Sequence, residues 1–419
     1  MLQDYKSKSV HVQDSGLFVS LAEKLAESFG RVTYWSPWHR AFPRSSEVEI
    51  GEGVPGIERV ACISEVIEET DLFIFPDIYS APMQLYLEGI GKRVWGSRAG
   101  DELERFRTDA KKHFADLGIL QGPYEVVRGV TALRKYLEKT KGKTLWVKIN
   151  NTRGDMETLR ILSYELQKNQ IDDLEYRLGP RADYMDFIVE DDLTDSMDIA
   201  IDTFCIDGQY PKTALLGTEV KEQVYVGVRK EWNEIAAHLK APYEKLSESL
   251  HKYSYRNFLS LETRLKEKQA FLCDPCCRFG SPPSELQMNM IANLPDIFWY
   301  GAEGELIEPE IPSKYGLEML IYSDWSSDHP LRLEFPEELR GKLKFHFATE
   351  FEDATWIMPQ KEGPRFGVIV EHGNNLDALI EQISDDVDQL KGTQIETYPE
   401  SFPKALENIK TMASWGVKF

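Results

Sequence analysis

The sequence predicts a mixed fold, with an α/β amino-terminal part and an α+β carboxy-terminal part. Strand and helix patterns alternate through the first hundred residues. A second α/β portion begins at TLWVKIN, and the chain closes with the strand FGVIVEHG and the helix LDALIEQISDDVDQL. These three observations set the fold class, because apolar residues that alternate indicate strands and apolar residues on one helical face indicate helices.

The first hundred residues predict a parallel sheet. Strands are expected at SVHVQ, RVTYWSP, DLFIFPD and KRVWGSR, and helices at GLFVSLAEKLAESFG and APMQLYLEGIG. Strands that alternate with helices pair in parallel through right-handed crossovers. Because ligands bind at the carboxyl ends of such strands, the loops at 14–16 and 76–79 are candidates to hold one.

The middle of the chain predicts a further helix and a second set of strands. The helix is expected over 101–117, where Gly118 and Ile119 end it. TLWVKIN is expected as a strand that leads into the helix ETLRILSYELQKN. DFIVEDDL is expected as a strand, and DIAIDTFCIDGQYPKTALLGTEV as an antiparallel pair.

The length, net charge and cysteine content of the chain exclude several classes of protein. The chain of 419 residues has room for about two to four domains. Its net charge of -21 disfavours a general nucleic-acid-binding role, so no nucleic acid polymer is expected as a partner. No apolar run has membrane-spanning length, the start MLQDYKSKSV is polar, and the five cysteines are an odd count with three in CDPCC. We therefore expect no membrane partner and a cytoplasmic location.

Residues 258–280 predict a candidate metal and phosphate site. Glu262 and Asp274 lie on two apolar runs separated by the turn-like KEKQ, and Arg278 follows the aspartate by four residues. Carboxylate oxygens bind Mg²⁺, and a guanidinium neutralises phosphate oxygens. The alternative is that these are solvated carboxylates on an ordinary hairpin.

A second candidate phosphate site follows the strand TLWVKIN. Lys148 ends the strand, and a polar loop with Arg153 and Gly154 leads to the predicted helix. Backbone N–H groups and cationic side chains in such a connection can bind the phosphates of a nucleotide. GxxxxGK[ST] is absent, which disfavours a Walker-type ATPase. A plain strand–loop–helix connection with a solvated lysine is the alternative.

The order of these parts resembles the ATP-grasp superfamily and, within it, the phosphoribosylamine–glycine ligase family. The resemblance covers nearly the whole chain, in stretches similar to those of the family: DLFIFPD, GDELERFRTDAKKHFADLGI, LWVKIN, FIVEDDL, CDPCCRFGSPPSELQ and FGVIVEHGNNLDALIEQISDDVDQL. It implies an ATP-grasp fold with a Rossmann-like pre-ATP-grasp domain at 1–100. A two-lobed ATP-grasp domain with ATP between its lobes would occupy 101–290, and a small α+β domain 291–419.

The resemblance also implies roles for individual residues. Lys148 and Arg278 would be catalytic, with Lys148 on the ATP phosphates and Arg278 on developing phosphate charge. Glu262 and Asp274 would bind Mg²⁺. The implied ATP-binding residues are Arg107 (in place of the family's first lysine), Lys148, Arg153, Glu190, and, along the same strand as Glu190, Asp191 and Leu193.

Departures from the family pattern fall at the metal and at the acceptor substrate. Cys276 stands where the family has a metal-binding asparagine, and a protonated thiol is a poor Mg²⁺ ligand, so we expect Cys276 to be a packing residue. The loops 14–16 and 76–78 differ from the family's substrate loops. The resemblance therefore implies ATP chemistry with an altered acceptor.

Three functions remain open at this stage. The first is an ATP-dependent carboxylate–amine ligase that uses Mg²⁺ and acts on small molecules, with nucleotide derivatives among the candidates. The second is phosphoribosylamine–glycine ligase itself. The third is a non-catalytic nucleotide-binding protein of the same fold. The sequence does not specify the two substrates or the oligomeric state.

Overall fold

The amino-terminal part of the chain forms a parallel sheet. The structure is a computed structural model that describes residues 4–36, 49–151, 158–359 and 363–419. The elements of this part are β1 (Ser9–Gln13), α1 (Val19–Ala26), β2 (Arg31–Trp35), β3 (Glu58–Arg59), β4 (Leu72–Ile74), α2 (Ala81–Gly89) and β5 (Arg93–Trp95). All strands pair in parallel, in the order β3-β2-β1-β4-β5, which confirms the predicted sheet.

This sheet brings the two predicted loops together. Strands β1 and β4 are neighbours, so the loops that follow their carboxyl ends lie side by side. The Ser15 hydroxyl donates to the Asp77 carboxylate over 2.9 Å. Whether these loops bind a ligand stays a prediction.

Two helices follow where one was predicted. They are α3 (Glu102–Arg105) and α4 (Arg107–Asp116), separated at Phe106, whose φ of -96° and ψ of 65° are not helical. Gly118 ends the second helix with a φ of 65°, a conformation that glycine adopts without strain. The break places Arg107 in the first turn of α4.

A four-stranded antiparallel sheet comes next. Its elements are β6 (Tyr124–Arg128), α5 (Val130–Lys139), β7 (Leu145–Ile149), β8 (Thr158–Ile161), α6 (Tyr164–Leu178) and β9 (Asp186–Asp191). The strand order is β6-β9-β7-β8, and both helices contribute buried side chains to the core of this lobe.

The helix predicted from Glu157 onward is wrong at its start. Residues 158–161 pair antiparallel with β7 as a strand. The helix begins only at Tyr164, where the Ser163 hydroxyl caps it by accepting the N–H of Leu166. A serine cap satisfies an N–H group that the first turn leaves without a partner, so it marks the true start.

The rest of the chain builds a nine-stranded antiparallel sheet and a three-stranded one. The elements are β10 (Met197–Ile206), β11 (Thr213–Val220), β12 (Val224–Glu231), α7 (Ala237–Lys252), β13 (Arg256–Lys266), β14 (Gln269–Cys276), α8 (Ser284–Met290), α9 (Leu294–Gly301), β15 (Tyr315–Ser323), β16 (Leu331–Leu333), β17 (Leu343–Phe345), β18 (Ala348–Phe351), β19 (Ala354–Ile357), β20 (Arg365–Gly373), α10 (Leu376–Val387), β21 (Ile395–Glu396) and α11 (Phe402–Ser414). The large sheet has the order β14-β13-β10-β11-β12-β15-β20-β17, with β21 on β15, and the small sheet has the order β16-β19-β18.

The large sheet continues across the predicted domain boundary at residue 290, because β12 pairs with β15. The three-domain division stays a prediction. The predicted mixture of α/β and α+β architecture is confirmed. In the described parts of the chain, no helix combines the length and the apolar composition needed to cross a membrane.

An aromatic cluster joins the first sheet to the β13–β14 hairpin. The ring centroids of Trp95 and Phe298 are 4.8 Å apart, and those of Phe258 and Phe279 are 4.4 Å apart, both edge to face. The Trp95 indole N–H donates to the Asn257 side chain over 3.0 Å. These buried contacts fix the hairpin, and with it the candidate site, relative to the parallel sheet.

Candidate functional site

A cleft of about 980 Å³ lies between the four-stranded sheet and the nine-stranded sheet. One wall carries Lys148 of β7 and Glu190 of β9, and the other carries Glu262 of β13 and Asp274 of β14. Two strands of one sheet and one hairpin of the other, far apart in sequence, therefore place charged side chains around one cavity.

The two predicted metal ligands face each other across the hairpin. Glu262 pairs directly with Asp274 in the antiparallel register, next to an irregularity between Glu262 and Thr263. Directly opposed residues of an antiparallel pair point their side chains to the same face of the sheet. The hairpin therefore presents both carboxylates to the cleft, as its sequence predicted.

Lys148 bridges the two walls. Its Nζ lies 3.1 Å from Glu190 Oε2 and 3.2 Å from Asp274 Oδ2, and it donates to the Cys273 carbonyl over 3.1 Å. Burial alone would lower the pKa of this lysine, but the charges of Asp274 and Glu190 outweigh burial and raise it. Lys148 is therefore a fixed positive charge at neutral pH.

Two further cations surround these carboxylates. Lys111 Nζ lies 2.5 Å from Glu190 Oε1. Arg107 Nε lies 3.6 Å from Asp274 Oδ1, and its Nη1 donates to the Ile149 carbonyl over 3.0 Å. Arg107 and Lys111 are four residues apart on α4 and so share one face of the helix. Helix α4 thus adds two positive charges beside Lys148.

Lys221 balances the carboxylates at the other end of the hairpin. Its Nζ lies 3.0 Å from Glu262 Oε2, 3.0 Å from Glu219 Oε2 and 3.7 Å from Asp198 Oδ2. Burial would raise the pKa of Glu262, but the charges of Lys221 and Lys148 outweigh it and lower that pKa. Burial raises the pKa of Asp198 to about 7. Glu262 is therefore ionised at neutral pH, whereas Asp198 gains or loses its proton close to neutral pH.

Arg278 connects the hairpin to the first sheet. Its Nη1 lies 3.2 Å from Asp77 Oδ1 and its Nε 3.0 Å from Glu104 Oε1. Glu104 also accepts the backbone N–H of Cys277 over 2.7 Å. The guanidinium is thus held where the loop after β4, helix α3 and strand β14 meet.

The carboxylate pair fits Mg²⁺ that is shared with phosphates. Mg²⁺ commonly takes one or two protein carboxylates and completes its shell with phosphate oxygens and waters. Within the described ranges, no group of three or more His, Cys, Asp or Glu side chains is arranged to hold a metal ion by itself. Glu262 and Asp274 therefore suit a nucleotide-bound ion rather than a closed protein cage.

Solved structures match the chain over nearly its full length, although no protein-family profile and no curated protein matches its sequence. Phosphoribosylamine–glycine ligase from Thermotoga maritima is 14% identical, with a TM-score of 0.69 over 92% of this chain and 98% of that one. The biotin carboxylase domain of 2-oxoglutarate carboxylase from Hydrogenobacter thermophilus, solved with MgADP and bicarbonate, is 10% identical, with a TM-score of 0.67 over 94% and 92%. L-amino acid ligase from Bacillus licheniformis is 12% identical, with a TM-score of 0.59 over 92% and 98%.

These three proteins share the ATP-grasp architecture. The chain has the ATP-grasp fold. The resemblance drawn from sequence is thereby confirmed at the level of the fold. The cleft described above lies between the four-stranded and the nine-stranded sheet of that fold.

The ATP-grasp cleft gathers most of the residues that the sequence predicted for it. Arg107, Lys148, Glu190 and Asp274 form one connected set of ion pairs, and Glu262 beside them pairs with Lys221 instead. Their assigned roles stay predictions.

Of the remaining predicted residues, Asp191, Leu193 and Arg278 also line the cleft. Strand β9 ends at Asp191, so the expectation that Leu193 continues it is wrong, although both residues line the cleft. The Asp191 carboxylate pairs with Lys143 over 2.9 Å at the rim. Arg153 lies outside the described residues.

Sequence reasoning missed Lys111 and Lys221. Lys111 could have been found, because it follows Arg107 by one helical turn on a predicted helix. No local sequence pattern indicated Lys221. It lies in the turn between β11 and β12, and only the pairing register of the strands brings it to Glu262.

The expected packing role of Cys276 is also corrected. Cys276 is partly exposed and lines the ATP-grasp cleft, whereas Cys277 is the fully buried cysteine of the pair. Burial raises the pKa of the neighbouring Cys273 to about 12, so that thiol stays protonated. Cys276 is the last residue of β14 and faces the cleft, whereas Cys277 follows the strand and packs in the core.

Proposed function

We propose that this protein is an ATP-dependent ligase that joins a small-molecule carboxylate to an amine through an acyl phosphate. The observation that carries the proposal is the meeting of Lys148, Glu262 and Asp274 in the cleft of an ATP-grasp fold. Two proteins of this fold are ligases by name, and a third was solved with MgADP.

Charge neutralisation explains this set of residues. Phosphoryl transfer depends mainly on positioning and on electrostatic stabilisation. Lys148 and Arg107 would bind the nucleotide phosphates, with Lys111 next to them. Glu262 and Asp274 would hold Mg²⁺, which neutralises phosphate charge when bound.

The other predicted residues receive roles at the two ends of the cleft. Glu190, Asp191 and Leu193 would contact the adenine and ribose, and Arg153 the phosphates. Arg278 would hold the phosphoryl charge that develops on the substrate carboxylate. Its contacts with Asp77 and Glu104 support this position, because they direct it to the junction with the first sheet.

The proposal includes small-molecule substrates and a cytoplasmic location. All five cysteines are free, including three that lie within five residues of one another on or just after β14. Unpaired thiols are typical of a reducing compartment.

A panel of small carboxylates tests the proposal without knowledge of the amine. The protein is incubated with Mg-ATP, each carboxylate and hydroxylamine, which traps an acyl phosphate as a hydroxamate. We expect at least one carboxylate to yield equal amounts of ADP and hydroxamate. ADP release with no hydroxamate from any carboxylate would contradict the acyl-phosphate route, and no ADP release would favour a non-catalytic nucleotide-binding protein.

Phosphoribosylamine–glycine ligase is the second candidate, because its Thermotoga structure gives the TM-score of 0.69. The loops of the first sheet argue against it. Asp77 is buried there and pairs with Arg278 rather than offering a donor to a sugar phosphate, and Pro76 has no N–H to donate. We expect little glycinamide ribonucleotide from ATP, glycine and phosphoribosylamine. Rapid glycine-dependent ADP formation would establish this second candidate instead.

A further inference from the structure

A tyrosine that lines the cleft reaches across a neighbouring strand to a carboxyl group on the strand beyond it. Tyr225 of β12 donates its hydroxyl hydrogen bond to the Asp202 carboxylate of β10, although β11 lies between these strands. The ring can cross β11 because Gly217 has no side chain: a Cβ there would overlap the tyrosine hydroxyl. Both Asp202 and Tyr225 line the cleft. The glycine thus permits a contact that any larger residue would block.

Asp202 differs from the other buried carboxyl groups of the cleft. Two others line it in the described ranges, and both have a cation nearby: Glu104 pairs with Arg278 over 3.0 Å, and Asp198 lies 3.7 Å from Lys221. Asp202 accepts hydrogen bonds from two hydroxyl groups instead, and it forms no ion pair within 4.0 Å with the described residues. Among the described residues its carboxylate therefore has hydroxyl partners and no directly paired cation, although a buried carboxylate is normally paired.

Asp202 lies on the same sheet face as the proposed metal ligands. Ser260 donates to Asp202 Oδ1 over 2.6 Å and precedes Glu262 by two residues on β13. Alternate residues of a strand share a face and lie about 7 Å apart. Asp202 and the hairpin carboxylates therefore line the same cleft from one face of the sheet.

Building on the proposed function, we propose that Asp202 binds the ammonium group of the amine substrate and takes its proton. Tyr225 and Ser260 act as positioning residues that orient the carboxylate. The amine nitrogen then forms its bond to the acyl carbon while the bond from that carbon to the phosphate oxygen breaks. The phosphate leaves with the electron pair and takes the second nitrogen proton, and Asp202 returns the first to solvent.

The surroundings of Asp202 suit a proton acceptor. Burial raises its pKa to about 6, against the lowering effect of the hydrogen bonds from Ser260 and Tyr225. Of the charged groups nearby, Glu219 raises this pKa and Lys221 lowers it. A base with a pKa close to the working pH is ionised and still accepts a proton effectively.

Binding of methylammonium chloride tests the site independently of catalysis. Saturation-transfer NMR would follow this probe on the full chain with Mg²⁺ and a non-hydrolysable ATP analogue. We expect saturable binding to the wild type and at least a tenfold weaker signal for Asp202→Asn. Asp195→Asn is the matched control, since it also removes one carboxylate charge from the cleft rim and asparagine tolerates the φ of 58° there. Equal binding to the wild type and Asp202→Asn would overturn the proposal.

Turnover with two nucleophiles tests the proton transfer. Hydroxylamine is unprotonated at neutral pH and needs no base, whereas methylamine arrives as its cation. With a carboxylate from the hydroxamate screen, Asp202→Asn should keep hydroxylamine-dependent phosphate release within about twofold and lose methylamine-dependent release by about 100-fold. An equal loss with both nucleophiles would overturn the proposal by showing a structural role.

Tyr225→Phe supplies a readout that a purely structural role would not move. Loss of the donated hydrogen bond should raise the pKa of Asp202, so the acidic limb of the methylamine pH profile should shift to higher pH. An unshifted limb would contradict the positioning role. Methylammonium binding without ATP consumption would reject the ligase and leave the ammonium site in place, so the two failures are distinguishable.

Discussion

Lys148 is central to the cleft because it neutralises a carboxylate on each wall. It lies within 3.2 Å of both Glu190 and Asp274. Removing one partner of a buried ion pair leaves the other charge uncompensated, which costs several kcal/mol. When nucleotide phosphates approach, the same lysine can exchange carboxylate contacts for phosphate contacts. Single residues here therefore serve both the stability of the cleft and its chemistry.

The first residue-scale prediction concerns the hairpin carboxylates. The double variant Glu262→Gln with Asp274→Asn keeps side-chain shape and removes the charges that would hold Mg²⁺. We expect ATP turnover to fall by at least about 100-fold, a loss of transition-state charge stabilisation of ~3 kcal/mol, while circular dichroism stays unchanged.

The control for this double variant removes two carboxylates from the rim of the same cleft. Asp195→Asn with Glu222→Gln changes the net charge equally and should keep wild-type turnover. ATP consumption by the hairpin variant at the wild-type rate would show that the metal lies elsewhere.

The second residue-scale prediction concerns pH and stability at Asp202. Its pKa is raised from 3.8 to about 6 in the folded protein. Between these values the folded protein keeps a proton that the unfolded chain has lost, so stability falls as pH rises through this window. Asp202→Asn removes this dependence, because its hydroxyl partners can reorient toward the amide.

Melting temperatures at pH 4.5 and pH 8 test this prediction. The variant should gain stability relative to wild type at the higher pH, by up to roughly 3 kcal/mol. A stability difference that is the same at both pH values would show that Asp202 is ionised equally in the folded and unfolded states.

At the scale of elements, strands were easier to predict than the contacts between them. The apolar runs at SVHVQ, LWVKI and DFIVED are long and regular, so β1, β7 and β9 lie where the sequence places them. The segment from Thr158 to Ile161 was predicted as helix because the helical pattern of α6 follows closely. Pairing with β7 overrides that local preference.

Apart from the family resemblance, the site was predictable only where its residues lie close in sequence. Glu262 and Asp274 belong to one hairpin, whose turn fixes their pairing. Lys221, Asp202 and Tyr225 meet the site through the register of β10 to β13, which is set by long-range packing. A single sequence does not contain that register in any local pattern.

The element-scale prediction is a steric one at Gly217. Gly217→Ala places a Cβ against the Tyr225 ring, so we expect a loss of about 1–3 kcal/mol in the free energy of unfolding, together with weakened methylammonium binding. Gly89→Ala in α2 is the matched control, because no atom lies within 4 Å of its added Cβ, and helix propensity should stabilise it slightly. Chemical denaturation of both variants checks the prediction, and equal stability changes would contradict it.

At the scale of the whole molecule, an acidic protein carries a local cluster of cations. The net charge is -21, yet Arg107, Lys111, Lys148, Lys221 and Arg278 lie around one cleft or point toward it. Charges farther away than about 10 Å are largely screened at 0.1 M ionic strength. On the proposed function, the local cations rather than the overall charge would govern nucleotide binding.

The whole molecule also shows that a fold can be shared by proteins whose sequences have little identity. The three solved structures compared with it above are 10–14% identical in sequence, yet each matches more than nine-tenths of the chain. A fold depends on the pattern of apolar and polar residues more than on their identities. The chemistry depends instead on the few charged side chains in the cleft, so those side chains are where experiments should begin.

Calorimetric titration of the full chain with Mg-ATP tests the central claim most directly. We predict saturable heat for one site, loss of that heat when EDTA removes the metal, and a raised melting temperature. At a free Mg-ATP concentration of about 100 times the Kd, the stabilisation should reach ~2.7 kcal/mol. No heat and an unchanged melting temperature at millimolar Mg-ATP would contradict the claim that this ATP-grasp cleft binds a nucleotide.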